Sequence, residues 1–566
     1  MKTYRTLTSI LTLGVMVSCG SDNSRDPATN DTAALTSVTL STDPGTEPTT
    51  GNITMGDVTM GTPTSGMSAS DGATGGSTSS STSSSSEGRT TGDPGPVDCM
   101  CKIQPNGDGI GAQNKQPPPQ AFEPVTEWEW TQPLIPNFNG GIEVMPLVAN
   151  LTDDNGDGTV DLCDTPDVVV VVSDIGHDSH IYVLDGATGN MHFKTEAAVS
   201  SIATPALGDI DGDGILEIVS VTKDSRLIAF ENDGTEKWHN VEDDFDLSLS
   251  AGMLGLADLD NDGDVEIYGG NKMWDHNGVL QWVLPPQNYT ATAAADLDGD
   301  GDLEVILGSS AFHHNGDVYY QLPLTYYGAF PQVANLDNDP EPEVLLIDVS
   351  GISVLEHTGA VKYKNQHPPK EDQGNMTFPA AVADFDGDGI SDFAVSRGDT
   401  YATYWADSTM IWKMPAIAKS IGGGPASTAF DFNGDGTFEA IYADDEHLFV
   451  FGNQGQILLQ DSISAYKHMA YPVVADVDND GSAEIVVVSG SYEGDKGSTV
   501  RVIGDKENRW PQARRIWNQH TYHVTNVNEG GTIPQFEQPS WKTHNTFRIN
   551  STLDAGGQQC EPPTPG

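Results

Sequence analysis

Between residues 153 and 484 one short phrase recurs eight times: oxygen-bearing side chains at alternate positions, a glycine, and a carboxylate closing the set. In D-x-D/N-x-D-G-x-x-D/E the first, third, fifth and ninth side chains can surround one hard cation, with a backbone carbonyl near position seven. Ca²⁺ is satisfied in this way by six to eight oxygens in a flexible shell, and the glycine permits the sharp turn. Complete copies are Asp209, Asp211, Asp213, Gly214, Glu217; Asp258, Asp260, Asp262, Gly263, Glu266; and Asp296, Asp298, Asp300, Gly301, Glu304. Asp384, Asp386, Asp388, Gly389, Asp392 and Asp476, Asp478, Asp480, Gly481, Glu484 are equally complete. Two copies carry one Asn: Asp153, Asn155, Asp157, Gly158, Asp161 and Asp431, Asn433, Asp435, Gly436, Glu439. The copy Asn335, Asp337, Asp339, Pro340, Glu343 lacks the first carboxylate and the glycine. One such phrase alone would be no more than an acidic turn. Eight in series point to a calcium-binding repeat with up to about eight ions.

The copies lie roughly 40 to 55 residues apart, the period of a propeller blade. The second unit shows what each must position. Glu217-Ile218-Val219-Ser220-Val221 and Leu227-Ile228-Ala229-Phe230 read as strands, Asn232-Asp233-Gly234 as a hairpin turn, and Thr235-Glu236-Lys237-Trp238 as a further strand. Similar turns follow at His276-Asn277-Gly278, His314-Asn315-Gly316, His357-Thr358-Gly359 and Asn453-Gln454-Gly455. No stretch of helical apolar periodicity interrupts these units. The expected fold is therefore all-β: a propeller of seven or eight four-stranded blades with calcium loops between the first and second strands. Glu127-Trp128-Glu129-Trp130 resembles a fourth strand that precedes the first acidic loop, so it would complete the last blade and close the ring with the chain's own ends.

Over roughly residues 120–505 the units resemble the FG-GAP or VCBS repeats of integrin alpha-subunit heads and bacterial surface proteins. The acidic loops match position for position, whereas the Phe-Gly and Gly-Ala-Pro signatures are largely missing. Tyr182-Val183-Leu184-Asp185-Gly186-Ala187-Thr188-Gly189 is also similar to strand-turn units of quinoprotein-type propellers. The tail from Arg514 through Pro534 is similar to the end of secreted bacterial VCBS-type proteins.

The N-terminus reads as an address. Lys2 and Arg5 precede an apolar run from Leu7 to Val17, which is too short for a permanent membrane span. Small residues before Cys19 resemble a bacterial lipobox, which implies that 1–18 is a lipoprotein signal and that Cys19 is lipidated. Gly20 in place of Asp leans toward the outer membrane or cell surface by resemblance to enterobacterial lipoproteins. Residues 19–98 are rich in Ser, Thr and Gly and hold no aromatics, so they cannot bury enough apolar surface to fold. As a flexible stalk they would have a root-mean-square span of roughly 50 Å. The propeller is expected over 99–510, with 511–566 packed on or closing it. Cys99, Cys101, Cys163 and Cys560 make an even count in an exported chain and are disulfide candidates with three possible connectivities.

Twenty-six basic residues stand against 82 acidic ones, a formal net charge of −56. Nucleic acid is an improbable partner for so acidic a chain, because phosphate binding needs a basic footprint. The clustered carboxylates would repel one another without cations, so folding and metal binding should be coupled. The blade-to-blade loops are aromatic and polar, and Tyr289, Tyr326, Tyr327, Tyr466 and His468 form a possible ligand face opposite the metals. Arg509, Arg514, Arg515, Trp517, His520, Tyr522 and His523 concentrate near the C-terminus, where the arginines would either grip a carboxylate-bearing ligand or form internal ion pairs. No catalytic constellation is legible. The leading reading is a lipid-anchored envelope module that binds an extracellular protein or glycan. The alternatives are a polysaccharide lyase, whose charge-neutralising cations could come only from 509–523, and a quinone-dependent dehydrogenase.

Overall fold

The computed structural model describes residues 122–132, 141–173, 178–241, 245, 252–285, 291–322, 329–337, 339–348, 351–366, 378–397, 400–415, 427–444, 446–463, 469–490 and 499–553. They build eight four-stranded antiparallel sheets arranged as the blades of a propeller. Blade 1 runs from Leu147–Ala149 to Met191–Lys194, blade 2 from Ala206–Gly208 to Glu236–His239, and blade 3 from Gly255–Ala257 to Leu280–Val283. Blade 4 runs from Thr292–Ala295 to Val318–Gln321, and blade 5 from Phe330–Ala334 to Val361–Gln366. Blade 6 spans Ala381–Ala383 to Met410–Pro415 and blade 7 spans Ser427–Phe430 to Ile457–Ser462.

Blade 8 takes three strands from one end of the chain, Val473–Ala475, Glu484–Ser489 and Thr499–Asp505, and its fourth, Pro124–Thr131, from the other. Trp128 pairs with Val502 and Trp130 with Val500. The ring is thus closed by backbone hydrogen bonds between the two ends of the repeat region.

Within each blade burial falls from the axis outward. The second strand of blade 1, Asp167–Ser173, is a run of valines buried along its whole length, whereas its fourth strand, Met191–Lys194, is largely exposed. β-Branched side chains suit strands covered on both faces, and a sheet sandwiched between two neighbouring blades is covered in that way.

Neighbouring blades are tied at the rim by one repeated contact. At six of the eight junctions an aromatic on the fourth strand of one blade lies under the hairpin glycine of the next. Gly278 has φ 75°, and a Cβ there would come within 2.5 Å of Trp238; Gly189 has φ 70° and stands in the same relation to Trp128. Only glycine satisfies both the left-handed backbone and the close approach. Trp128 also donates from Nε1 to the Gly186 carbonyl at 2.6 Å, which fastens blade 8 to blade 1.

The axis of the ring is filled by the chain's C-terminal segment. Trp517 exchanges backbone hydrogen bonds with Val148 of blade 1, and the Leu207 N–H of blade 2 donates to the Asn518 carbonyl. The Leu256 N–H of blade 3 donates to Gln519 Oε1, and the Asn335 N–H, just beyond the inner strand of blade 5, donates to Asn545 Oδ1. Val382 of blade 6 exchanges bonds with Phe547, Thr428 Oγ1 of blade 7 donates to the Arg548 carbonyl, and Asn550 Nδ2 donates to the Val474 carbonyl of blade 8. Inner strands present unpaired backbone groups to a propeller's channel, and here one segment satisfies them around most of the ring. The segment's own core stacks Trp517 on Tyr522 at 4.6 Å. Among the described residues the single helix is the short turn Ser540–Thr543, and no helix is long and apolar enough to cross a membrane.

Candidate metal centres

Each acidic loop leaves an inner strand and enters the second strand of its blade, and its own backbone holds it in shape. In blade 2, Asp209 accepts from the Gly212 and Gly214 N–H groups at 2.8 and 3.0 Å, and Asp213 accepts from the Ile215 N–H at 2.8 Å. The same bonds recur in blade 6, where Asp384 accepts from Gly387 and Gly389 and Asp388 from Ile390. One carboxylate thereby folds the loop while the remaining oxygens converge. Asp209, Asp211 and Glu217 bring ligand atoms within 4.8 Å of one another, as do Asp258, Asp260 and Glu266, and Asp296, Asp298 and Asp300.

A second bond is common to all eight blades. The carboxylate at the head of the second strand accepts from the N–H of the loop's entering apolar residue. The pairs are Ile210 to Glu217, Leu259 to Glu266, Leu297 to Glu304 and Leu336 to Glu343. They continue with Phe385 to Asp392, Phe432 to Glu439 and Val477 to Glu484. In blade 1 the pair is Leu151 to Asp167.

Blade 1 therefore departs from the sequence expectation, which closed its loop at Asp161. The phrase from Asp153 keeps its internal bonds, with Asp153 accepting from Gly156 and Gly158, but it is part of a longer excursion. Asp161 turns its carboxylate to the Cys163 N–H at 2.7 Å, and Asp167 stands where Glu217 stands in blade 2. The signal was present: Asp167 opens a valine run just as Glu217 opens Ile-Val-Ser-Val. Beside it His192 lies 3.4 Å from both Asp154 and Asp167 and 3.7 Å from Asp185.

Burial pushes these closing carboxyls up, to about 7 in Glu217 and Glu304 and about 8 in Glu266, Asp392 and Glu439. Asp167, Glu343 and Glu484 move the same way for the same reason. A carboxylate taken out of water needs a proton or a cation, and a divalent ion among convergent oxygens supplies the latter. The chemistry of the donor set, all oxygen and mostly anionic, fits a hard cation such as Ca²⁺.

The arginines near the C-terminus are held in ion pairs, Arg514 and Arg515 in the interior and Arg509 at the surface. Arg514, fully buried, and Arg515 share Glu529, with Nε–oxygen distances of 3.0 Å each. Arg514 also donates to the Val524 carbonyl at 2.6 Å, and Arg509 Nε lies 2.6 Å from Asp505. His523 Nε2 meets Glu537 at 2.6 Å, and His520 Nδ1 meets the Tyr471 hydroxyl at 2.8 Å. Sequence reasoning missed Arg548, which is buried with its guanidinium 4.0 Å above the Tyr471 ring and, among the described residues, no carboxylate paired to it. A lone arginine in a late, aperiodic segment gives no signal of such a position.

Tyr289, Tyr326, Tyr327, Tyr466 and His468 lie outside the described residues, as do Cys19, Cys99, Cys101 and Cys560. Cys163 is buried.

Residues 209–269 and 431–487 match the family described as FG-GAP-like repeat. No curated protein matches the chain. Among solved structures it is similar to the Vibrio cholerae biofilm matrix protein Bap1, with a TM-score of 0.64 and 20% identity over 76% of this chain and 100% of that one. It is also similar to the exotype rhamnogalacturonan lyase YesX, with a TM-score of 0.49 and 16% identity over 77% of this chain and 83% of that chain. For the Bacillus licheniformis rhamnogalacturonan lyase PL11 the values are 0.46, 18%, 75% and 82%. At these identities the likeness is one of fold. The chain is an eight-bladed β-propeller that carries FG-GAP-like repeats.

Proposed function

We propose that this chain is a calcium-stabilised binding module of the bacterial cell envelope, tethered through Cys19 and presenting the propeller to an extracellular protein or glycan. The observation that carries the reading is how the cationic C-terminal residues are engaged. A lyase acting on an acidic polysaccharide would need Arg509, Arg514 and Arg515 free to neutralise the substrate, and they are engaged by Asp505 and Glu529. The acidic loops repeat blade by blade as scaffold, and each holds its own shape by bonds to its own backbone. That pattern favours ions that stiffen a ring over one ion poised beside a cofactor. The fold shared with Bap1, named a biofilm matrix protein, fits this placement without carrying it.

The test pairs stability with binding. Chelation with EDTA should lower the melting temperature and open the ring to protease, and calcium should restore both. The calcium-loaded protein should bind members of a glycan and surface-protein array without releasing unsaturated products from acidic polysaccharides. Identical melts in EDTA and calcium would remove the metal reading, and unsaturated product would replace the binding reading with the lyase.

A further inference from the structure

In all eight blades the pairing of the third and fourth strands is broken by a bulge, which in blades 1 to 7 falls just after the hairpin turn. The extra residue precedes the rim position that pairs across to the third strand. In chain order from blade 1 it is His192, Lys237, Gln281, Tyr319, Lys362, Ile411 and Leu458, with Glu127 serving blade 8. A bulge re-aims one side chain out of the alternating pattern of a strand. Here, where the bulge residue is charged, it is turned toward the acidic loop of its own blade.

In blade 2 Lys237 Nζ lies 2.7 Å from Asp211, 3.1 Å from Glu217 and 3.1 Å from Glu231. Asp211 and Glu217 are the third and ninth positions of the loop, and the ammonium sits where their oxygens converge. In blade 5 Lys362 repeats the arrangement, 2.5 Å from Asp337, 3.3 Å from Glu356 and in contact with Glu343. This is the loop that has Asn335 and Pro340 in place of the first carboxylate and the glycine.

Blade 8 is the opposite case. Its loop already holds Asp476, Asp478, Asp480 and Glu484, and Asp476 and Glu484 are fully buried. The bulge residue adds another carboxylate: Glu127, between Thr126 and Trp128, holds the position from which Lys237 and Lys362 reach the loops of their own blades. Gly504 makes room for it, since a Cβ at that position would lie 2.0 Å from Glu127 Oε1. Glu484 Oε1 is buried and, among the described residues, has no hydrogen-bond partner. The matching oxygens of Glu217, Glu343 and Glu304 meet Lys237, Lys362 and His313. A buried carboxylate oxygen without a donor is costly unless a cation takes it up.

We propose that the bulge residue of each outer strand sets the cation demand of its own blade: Lys237 and Lys362 supply an internal ammonium in place of an ion in blades 2 and 5, while Glu127 completes a hard-cation site in blade 8. An ion held by Glu127 together with Asp476, Asp478, Asp480 and Glu484 joins ligands more than three hundred residues apart in the chain. It clasps the two ends that close the ring, so the strongest site lies at the seam. The inference rests on the reading that the loops bind calcium, and it adds which of them do so and why.

The experiment uses the intact chain, with calcium counted by equilibrium dialysis and stability read by melting in EDTA and in calcium. Wild type should bind fewer ions than it has loops. Lys237→Gln should melt lower than wild type in EDTA, because three carboxylates lose their counter-ion, and should recover in calcium while binding one ion more. Lys362→Gln should also melt lower in EDTA but recover less, because its loop lacks a carboxylate and the glycine. Glu127→Gln should weaken the tightest site by about ten- to a hundredfold, the range for losing a group that orients or supplements a metal shell, and should shrink the rise in melting temperature on adding calcium. Unchanged EDTA melting and ion count for Lys237→Gln would overturn the ammonium assignment. An unchanged tightest site in Glu127→Gln would overturn the clasp. A wild-type chain that binds no calcium would instead sink the underlying metal reading, an outcome distinct from either.

Discussion

Two buried clusters in the C-terminal segment show what single residues contribute. Arg514 and Arg515 share Glu529, whose carboxyl stays below its usual range although burial alone would raise it, because both guanidinium groups hold it ionised. Removing one partner of a buried charged set leaves the others uncompensated, which typically costs about 3–5 kcal/mol. Glu529→Gln should therefore lower the melting temperature sharply, and an unchanged melt would show the cluster to be solvated in solution. His523 supplies a pH dependence. Burial would lower its pKa, but the Glu537 carboxylate, its hydrogen bond and the Thr521 carbonyl outweigh burial and the nearby Arg514, so the folded value is raised. A raised folded pKa means that the stabilisation is full below the unfolded value of about 6.5 and is lost as pH rises through the folded one. The melting-temperature gap between wild type and Glu537→Gln should accordingly be widest near pH 6 and narrow toward alkaline pH. A gap independent of pH would show that His523 is neutral throughout.

At the scale of elements, the rim contact between an outer-strand aromatic and the next blade's hairpin glycine is a unit that one substitution can break. Gly278→Ala places a side chain in left-handed backbone, which costs roughly 1–2 kcal/mol, and drives its methyl into Trp238. Gly530→Ala is the control, since nothing lies within 4 Å of a Cβ there. A melt that falls for the first and not the second supports the contact, and equal melts would show that the rim is loose. Much of this element was legible beforehand. The Asn-Asp-Gly turn at 232–234 and its relatives marked the hairpins, the acidic loops marked the first connection of each blade, and Glu127 to Trp130 marked the closing strand. The bulge was not legible, because the strand alternation that places Trp238 says nothing of the register slip that turns Lys237 toward the loop. Asp167 was hidden for a related reason. A complete phrase ending at Asp161 lies six residues earlier, and nine-residue spacing cannot distinguish the head of a strand from the end of an inserted turn.

At the scale of the whole molecule, the ring has two closures that act on different parts. The seam in blade 8 joins the sheet at the rim, and the C-terminal segment covers the inner strands along the axis. Periodicity reveals the first because it completes a repeat; the second has no period, so its residues read as a polar tail with unplaced arginines until the ring is built around them. Trp517, Tyr522, Phe547 and Ile549 are all buried in that position, and each apolar side chain so placed contributes about 1.5–3 kcal/mol. Their loss would be compounded by the backbone groups left behind at Val148, Leu207 and Val382, which now bond to Trp517, Asn518 and Phe547. Strand edges left unpaired and lined by apolar residues recruit other chains. A chain ending before residue 511 should therefore melt well below the intact protein and self-associate during size-exclusion chromatography, with calcium recovering little of the difference because an ion in an acidic loop replaces neither the buried aromatic contacts nor the bonds that the Asp209 and Asp476 N–H groups make to the Gly531 and Arg514 carbonyls. If the shortened chain eluted as a monomer and melted with the intact one, the segment would be a passenger in the channel, and the stability of the ring would have to come from its blades and seam alone.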